Sequence, residues 1–295
     1  MRLHELNCGT LRPPGGRLVC RVLLLEVGAR LVLVDAGFGR ADVTDPRRLG
    51  PMRWLLGAAL DPAETAHAQI TERGLDPSAV SDVVLTHGDL DHAGGIADFP
   101  QARVHLLAAE HAAITGPRGH RERLRYRSEH WAHDPRLVLH RPGRGTLLGL
   151  PGAVDLSDVA PGMHLVPLPG HTAGHAGVAL PDPTGGWLLH AGDAAHSART
   201  LSPTTVRSDS TGESHGRAAG PFASVAGLLR DAGIAARQAV LAQDVPLLRS
   251  TQRRLLALRS REPSVRLTTS HDAAAERPVD PALGTVHAPP RRLML

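Results

Sequence analysis

The chain has 295 residues, enough for one large buried core with appendages and too many for a miniature fold stapled by disulfides or zinc. Its 33 basic residues, against 29 acidic ones, are all arginine, which excludes Schiff-base chemistry and the lysine of a phosphate-binding P-loop. A formal charge of +4 without a dense basic block, and only seven Phe, Trp and Tyr residues together, give no footing for nucleic acid, and no apolar run is long enough to cross a membrane. Cys8 and Cys20 form no CxxC pair, and the first residues lack the apolar stretch of a secretion signal. Reduced thiols and a cytoplasmic location are therefore expected.

In chain order, residues 21–27 and 31–34 read as adjacent strands joined at Gly28-Ala29, and Asp35-Ala36-Gly37-Phe38-Gly39 turns the chain toward a pocket. Asp61-Pro62 opens an expected helix over 63–73, where aspartate caps the first amides and proline fits the first turn. Residues 83–85 form a short buried strand, and 103–107 another, followed by a helix from 108. The charged stretch 118–140 reads as a surface insertion around Tyr126 and Trp131, either a substrate lid or a plain connection.

Strands are expected at 165–168, 178–180, 187–190 and 265–269, and helices at 222–230 and 245–259. Core packing is the first explanation of the leucines recurring through 245–259, with assembly into a homo-oligomer as the alternative. Residues 196–220 are rich in Ser, Thr, Arg and Gly and read as a loop. No unit repeats, so the mixture of strands and helices predicts a layered α/β domain over 1–277 with surface insertions, and proline-rich 278–295 reads as a flexible tail.

Among the 18 histidines, several follow short apolar runs. The densest group is His87-Gly88-Asp89-Leu90-Asp91-His92, two imidazoles and two carboxylates whose nitrogen and oxygen donors suit a divalent metal. An extended backbone would aim His87, Asp89 and Asp91 together but turn Asp91 and His92 apart, so a loop is expected to direct all four inward. Four such donors suggest two neighbouring metals more readily than one tetrahedral site. Pro169-Gly170-His171-Thr172-Ala173-Gly174-His175 supplies His171 as a ligand, with His175 better suited to orienting a neighbour. Asp193, beyond residues 187–190, could bridge two metals, and His271 follows the last strand.

This pattern resembles the metallo-beta-lactamase superfamily from about residue 22 to residue 272. The resemblance implies a four-layer αββα sandwich with His87, Asp89 and His171 at one metal, Asp91, His92 and His271 at the other, and Asp193 between them. It points to the lactonase-like branch through Asp35-Ala36-Gly37-Phe38-Gly39 and the segment ending at His175. Asp89 departs from the pattern, standing where many members have a second histidine and making the site harder. Two divalent ions are expected, zinc first, with iron or manganese as alternatives.

The expected activity is hydrolysis of a small molecule, a lactone or small ester, by a metal-bound hydroxide, with Asp91 moving a proton and Asp193 fixing the metals. Ala194-Ala195-His196 lacks an aromatic hydroxyl found in some homoserine-lactone hydrolases, leaving His196 as a substrate contact or a surface residue. Phosphodiester or beta-lactam hydrolysis, and a metal-stabilised binding protein without turnover, are the alternatives. No GxSxG element supports a serine hydrolase.

Overall fold

The computed structural model describes residues 1–14, 16–116, 119–195, 238 and 240–273. The expected helix over 222–230, the loop over 196–220 with His196, and the tail 278–295 lie outside the described residues.

Strand β2 (Leu18–Val27) is apolar on both faces over Val22-Leu23-Leu24-Leu25, a pattern that is stable only where both faces are covered. The covering is observed. Leu23 and Leu25 point toward a second sheet, while Val22 and Leu24 pack under helices on the other side. Around β2, one sheet runs in the order β1 (Arg2–Leu11), β2, β3 (Arg30–Val34), β4 (Val80–Val84), β5 (Arg103–Leu107) and β6 (Arg136–His140). Its first three strands are antiparallel and β3 to β6 parallel.

The hairpin β7 (Thr146–Leu147) and β8 (Leu150–Pro151) leads to the second sheet. That sheet contains β9 (Val154–Asp155), β10 (His164–Pro167), β11 (Ala176–Pro181), β12 (Trp187–His190) and β13 (Val265–Thr268), antiparallel except for the parallel β12–β13 pair. Leu165, Val178, Leu180 and Leu188 meet Leu23, Leu25, Val32 and Val34 between the sheets. The outer face of the first sheet is covered by Ile70, Ile96, Phe99 and Ile114, and that of the second by Leu255 and Leu258. This gives the expected αββα order of layers.

Helices bounded within the described residues are α1 (Arg40–Thr44), α2 (Met52–Leu56), α3 (Ala66–Glu72), α4 (Leu90–Ala93), α5 (Ala108–Thr115), α6 (His120–Arg125), α7 (Ser128–Trp131) and α8 (Val245–Arg261). In α8 the buried residues Leu248, Thr251, Leu255 and Leu258 recur at helical spacing, and Asp244 caps its start by accepting the Leu247 amide at 2.8 Å.

Three readings of the sequence are corrected. The helix expected over 63–73 is broken at Thr65, whose hydroxyl caps α3 by accepting the Ala68 amide; Pro62–Glu64 before it is a separate 3-10 turn. Strand β1 was not expected because His4, Glu5 and Asn7 interrupt its apolar pattern; as an edge strand it uses Glu5 to pair with Arg21 and Arg266. The stretch 118–140 is no loose insertion, since its described part forms α6, α7 and β6 and buries Tyr126 completely.

Candidate metal centre

One edge of the sandwich collects the chain as it leaves five strands. Asp35 follows β3, His87 and Asp89 follow β4, His171 follows β10, Asp193 follows β12 and His271 follows β13, while the antiparallel β2 begins at the same edge with Cys20. All of them except Asp89 are buried, and Asp89 is half-buried. The four donors of the 87–92 segment are aimed by a turn and the first turn of α4, not by a continuous loop: Asp89 stands just before the helix, and Asp91 and His92 lie within it.

The donor atoms converge. Asp89 Oδ2 is 3.3 Å from His87 Nε2 and 3.1 Å from His171 Nε2. His271 Nε2 is 3.7 Å from Asp91 Oδ2, and His92 Nε2 is 3.9 Å from the same oxygen. Asp193 lies between the two groups: Oδ2 is 3.0 Å from His271 Nε2 and 3.6 Å from His171 Nε2, and Oδ1 is 3.6 Å from His92 Nε2. Donor atoms of His87, Asp89 and His171 lie within 4.8 Å of one another, as do those of His87, His92 and Asp193 and those of Cys20, Asp91 and His271.

The surrounding residues hold this geometry. Asp35 takes a left-handed backbone (φ 60) and turns its carboxylate to accept the Thr86 amide at 2.7 Å and to pair with His92 Nδ1 at 2.9 Å, which leaves His92 Nε2 facing the centre. His271 Nδ1 donates to the Val19 carbonyl at 2.8 Å with the same effect. His175 donates from Nδ1 to the Leu168 carbonyl and accepts the Asp193 amide at Nε2, 2.9 Å away. It therefore positions Asp193. Gly192 makes room for that contact, because a Cβ there would stand 2.7 Å from His175 Nε2 and its φ is +53.

Two hubs were not found in the sequence. Fully buried Glu110 accepts from the Gly88 amide, the Tyr126 hydroxyl, the Thr172 hydroxyl and the Gly174 amide, joining the His87 and His171 loops. Arg125 places Nε 3.2 Å from Asp89 Oδ1 and donates to the carbonyls of His171 and Leu241. An acidic or basic residue on a short helix reads as part of a solvated face, so neither carried a sequence signal. Cys20, inside an apolar run, reads as core. His190 is buried 4.0 Å from Asp35 Oδ2 and stays behind the centre.

The local field favours positive charge. Burial alone would keep His92 neutral, but the carboxylates of Asp193, Asp91 and Asp35 push its pKa up to about 10. Burial likewise opposes charge on His271, yet Asp193 and Asp91 raise it to about 9. His171 moves the other way, lowered by burial and by the Arg125 guanidinium. Partial burial opposes charge on Asp89, yet Arg125 and His87 hold it well below the usual carboxylate range. A field that draws protons to imidazoles also draws cations. The Nε2 atoms of His87 and His92 are buried without a hydrogen-bond partner, which a divalent cation among these nitrogens and carboxylates would satisfy. The residues present fit divalent metal.

Layer order, strand-end donors and outward-braced imidazoles define a metal-binding αββα sandwich. The chain belongs to the metallo-beta-lactamase superfamily, which it matches over residues 15–271. It is 42% identical over 274 residues to a Mycobacterium bovis protein named as a probable metallo-hydrolase, covering 92% of this chain and 80% of that protein. It is also similar to the structure of a B. thuringiensis AiiA mutant with N-decanoyl-L-homoserine bound at the active site (TM-score 0.64, 16% identity, 92% of this chain and 93% of that one). A second similar structure is an N-acyl homoserine lactone hydrolase with its product N-hexanoyl-L-homoserine at the catalytic metal centre (TM-score 0.63, 17% identity, 92% of this chain and 93% of that one). At these identities the two structures share the fold with this chain.

Proposed function

We propose that the protein is a hydrolase that uses two divalent cations to open a lactone or other small ester bearing an apolar group. The observation that carries this reading is Asp193, whose two carboxylate oxygens face imidazoles from both expected ligand sets. His87, Asp89 and His171 would hold one cation and Asp91, His92 and His271 the other, with Asp193 shared. Paired divalent cations lower the pKa of water and polarise a carbonyl toward attack.

The chain's own residues supply the rest. Asp91, which lines the pocket, takes a proton from the attacking water and returns it to the alcohol oxygen that leaves. Leu11, Leu18, Met52, Leu56, Leu90 and Leu241 line the same pocket and exclude water beside the acyl group. The pocket's one arginine among the described residues, Arg125, is engaged by Asp89, which favours an uncharged carbonyl compound over a phosphodiester.

The test is a panel of lactones, esters, beta-lactams and phosphodiesters offered to the zinc-, manganese- or iron-loaded protein and to the chelated protein, with metal content measured in parallel. Metal-dependent turnover of acyl lactones or esters is expected. Full metal content with no turnover of any class would leave the alternative of a metal-stabilised binding protein.

A further inference from the structure

We propose that the Cys20 sulfur is a donor to the cation position faced by Asp91, His92 and His271, making that position selective for thiophilic metals while its neighbour has only nitrogen and oxygen donors. The inference rests on the two-cation reading above and adds to it a ligand from a strand that contributes none in that reading.

Cys20 Sγ lies 3.9 Å from Asp91 Oδ2, and its sulfur, a carboxylate oxygen of Asp91 and a ring nitrogen of His271 lie within 4.8 Å of one another. Donors around one tetrahedral metal, at roughly 2.0 to 2.3 Å from it, are separated by roughly 3.5 Å. The 3.9 Å between Cys20 and Asp91 and the 3.7 Å between Asp91 and His271 are close to that spacing. His92 Nε2, buried and without a hydrogen-bond partner, faces the same Asp91 oxygen and offers a further donor beside the shared Asp193.

The placement of Cys20 is enforced by backbone. His271 Nδ1 donates to the Val19 carbonyl, the Arg21 amide donates to the Ser270 carbonyl at 2.9 Å, and the Arg21 guanidinium donates to the carbonyls of Thr269 and Asp272. Residues 19–21 and 269–272 are thereby stitched together, which fixes the thiol beside the imidazole. The amide of Cys20 is itself held by Asn7 Oδ1 at 3.2 Å. Cys8 makes a useful contrast. It is equally buried, but it belongs to the core under the first sheet and, among the described residues, stands in none of the groups of converging donors.

Binding balances simply: the thiol proton leaves to solvent as the sulfur lone pair bonds the dication, with no change of oxidation state. A thiolate softens the position it joins, so zinc or cobalt is retained there, whereas Asp89 leaves the other position hard.

Metal-free full-length protein titrated with cobalt(II) tests the assignment by absorbance and metal analysis. A thiolate-to-cobalt charge-transfer band in the near ultraviolet is expected in the wild type and in Cys8→Ala, and its loss in Cys20→Ser. Because the chain has only two cysteines, the band in Cys8→Ala identifies the sulfur even if Cys20→Ser folds poorly. Bound cobalt with visible ligand-field bands but no charge-transfer band overturns the sulfur ligand and leaves the two-cation reading intact. No cobalt binding overturns both.

Discussion

The guanidinium of Arg125 touches one oxygen of Asp89 while the other oxygen faces the metal centre. Nε is 3.2 Å from Oδ1, and Oδ2 is 3.3 Å from His87 and 3.1 Å from His171. Asp89 adds a negative charge at a position where the resemblance leads one to expect a neutral imidazole, and Arg125 offsets it. The same side chain also holds the His171 carbonyl at 2.8 Å.

Arg125→Met should therefore do two kinds of damage. It leaves a half-buried carboxylate without its cation, which costs about 2 kcal/mol of stability in metal-free protein, and it frees the His171 loop. Adding Asp89→His removes the uncompensated charge. In urea denaturation of the four proteins of the cycle, the double variant should be more stable than Arg125→Met alone. Additive losses within about 0.5 kcal/mol would mean that the two side chains are not coupled.

Asp193→Asn removes the shared charge, and His175→Ala removes the acceptor of the Asp193 amide. The first should lose metal outright. The second should weaken metal binding by about 10- to 100-fold, the usual consequence of deleting a residue that orients a ligand. Dialysis against graded chelator, read by metal analysis, separates the two; equal metal retention in wild type and Asp193→Asn would reject the shared carboxylate.

The convergence of the candidate donors was legible in part, because several of them end a short apolar run beside glycine, so the same few residues announce both a strand end and a possible site. His87, His171 and Asp193 are of this kind, and His271 ends a strand without the glycine. The braces were not legible. Arg125, Arg127 and His130 lie in a stretch whose charges suggest solvent, yet Arg127 donates to the Arg48 carbonyl at 2.8 Å and buried His130 pairs with Asp42 at 3.0 Å. Such charges are buried only because partners 36 to 116 residues away are folded against them, and nothing local records that. The pattern of elements alone announced a layered α/β domain and the resemblance supplied the αββα order, whose physical reason is that strands apolar on both faces, such as β2 and β11, demand covering on both sides.

Glu110 offers a sharper test of the braces than any ligand does. It accepts from two backbone amides and two hydroxyls in a fully buried setting, and a Cβ on Gly174 would meet its backbone nitrogen at 2.0 Å. Glu110→Ala strands four donors and should lower stability by more than about 3 kcal/mol. Glu110→Gln keeps the shape but turns two of its own hydrogens toward those donors, so it should fall between wild type and alanine. Thermal denaturation of metal-free protein measures the order, and an alanine variant as stable as the glutamine would contradict the hub.

Acid should weaken the hold of β4 on β5 at Asp82. Fully buried Asp82 accepts from Arg103 Nε at 2.7 Å, from His105 Nε2 at 2.9 Å and from the Ser81 hydroxyl at 2.7 Å, with Arg30 3.3 Å away. Burial opposes its charge, but the bonds from His105, Arg103 and Ser81 win and hold the carboxyl well below the ordinary range. A carboxyl lowered by folding stabilises the native state above its unfolded pKa, and that contribution drains away as pH falls through the folded one. Asp82→Asn should thus cost about 3 kcal/mol at neutral pH, and the difference from wild type should narrow as the pH is taken below about 4, where unfolded carboxylates protonate. Urea denaturation of both proteins at neutral and acid pH provides the comparison; a penalty independent of pH would mean that the carboxylate's shape, not its charge, holds β4 to β5.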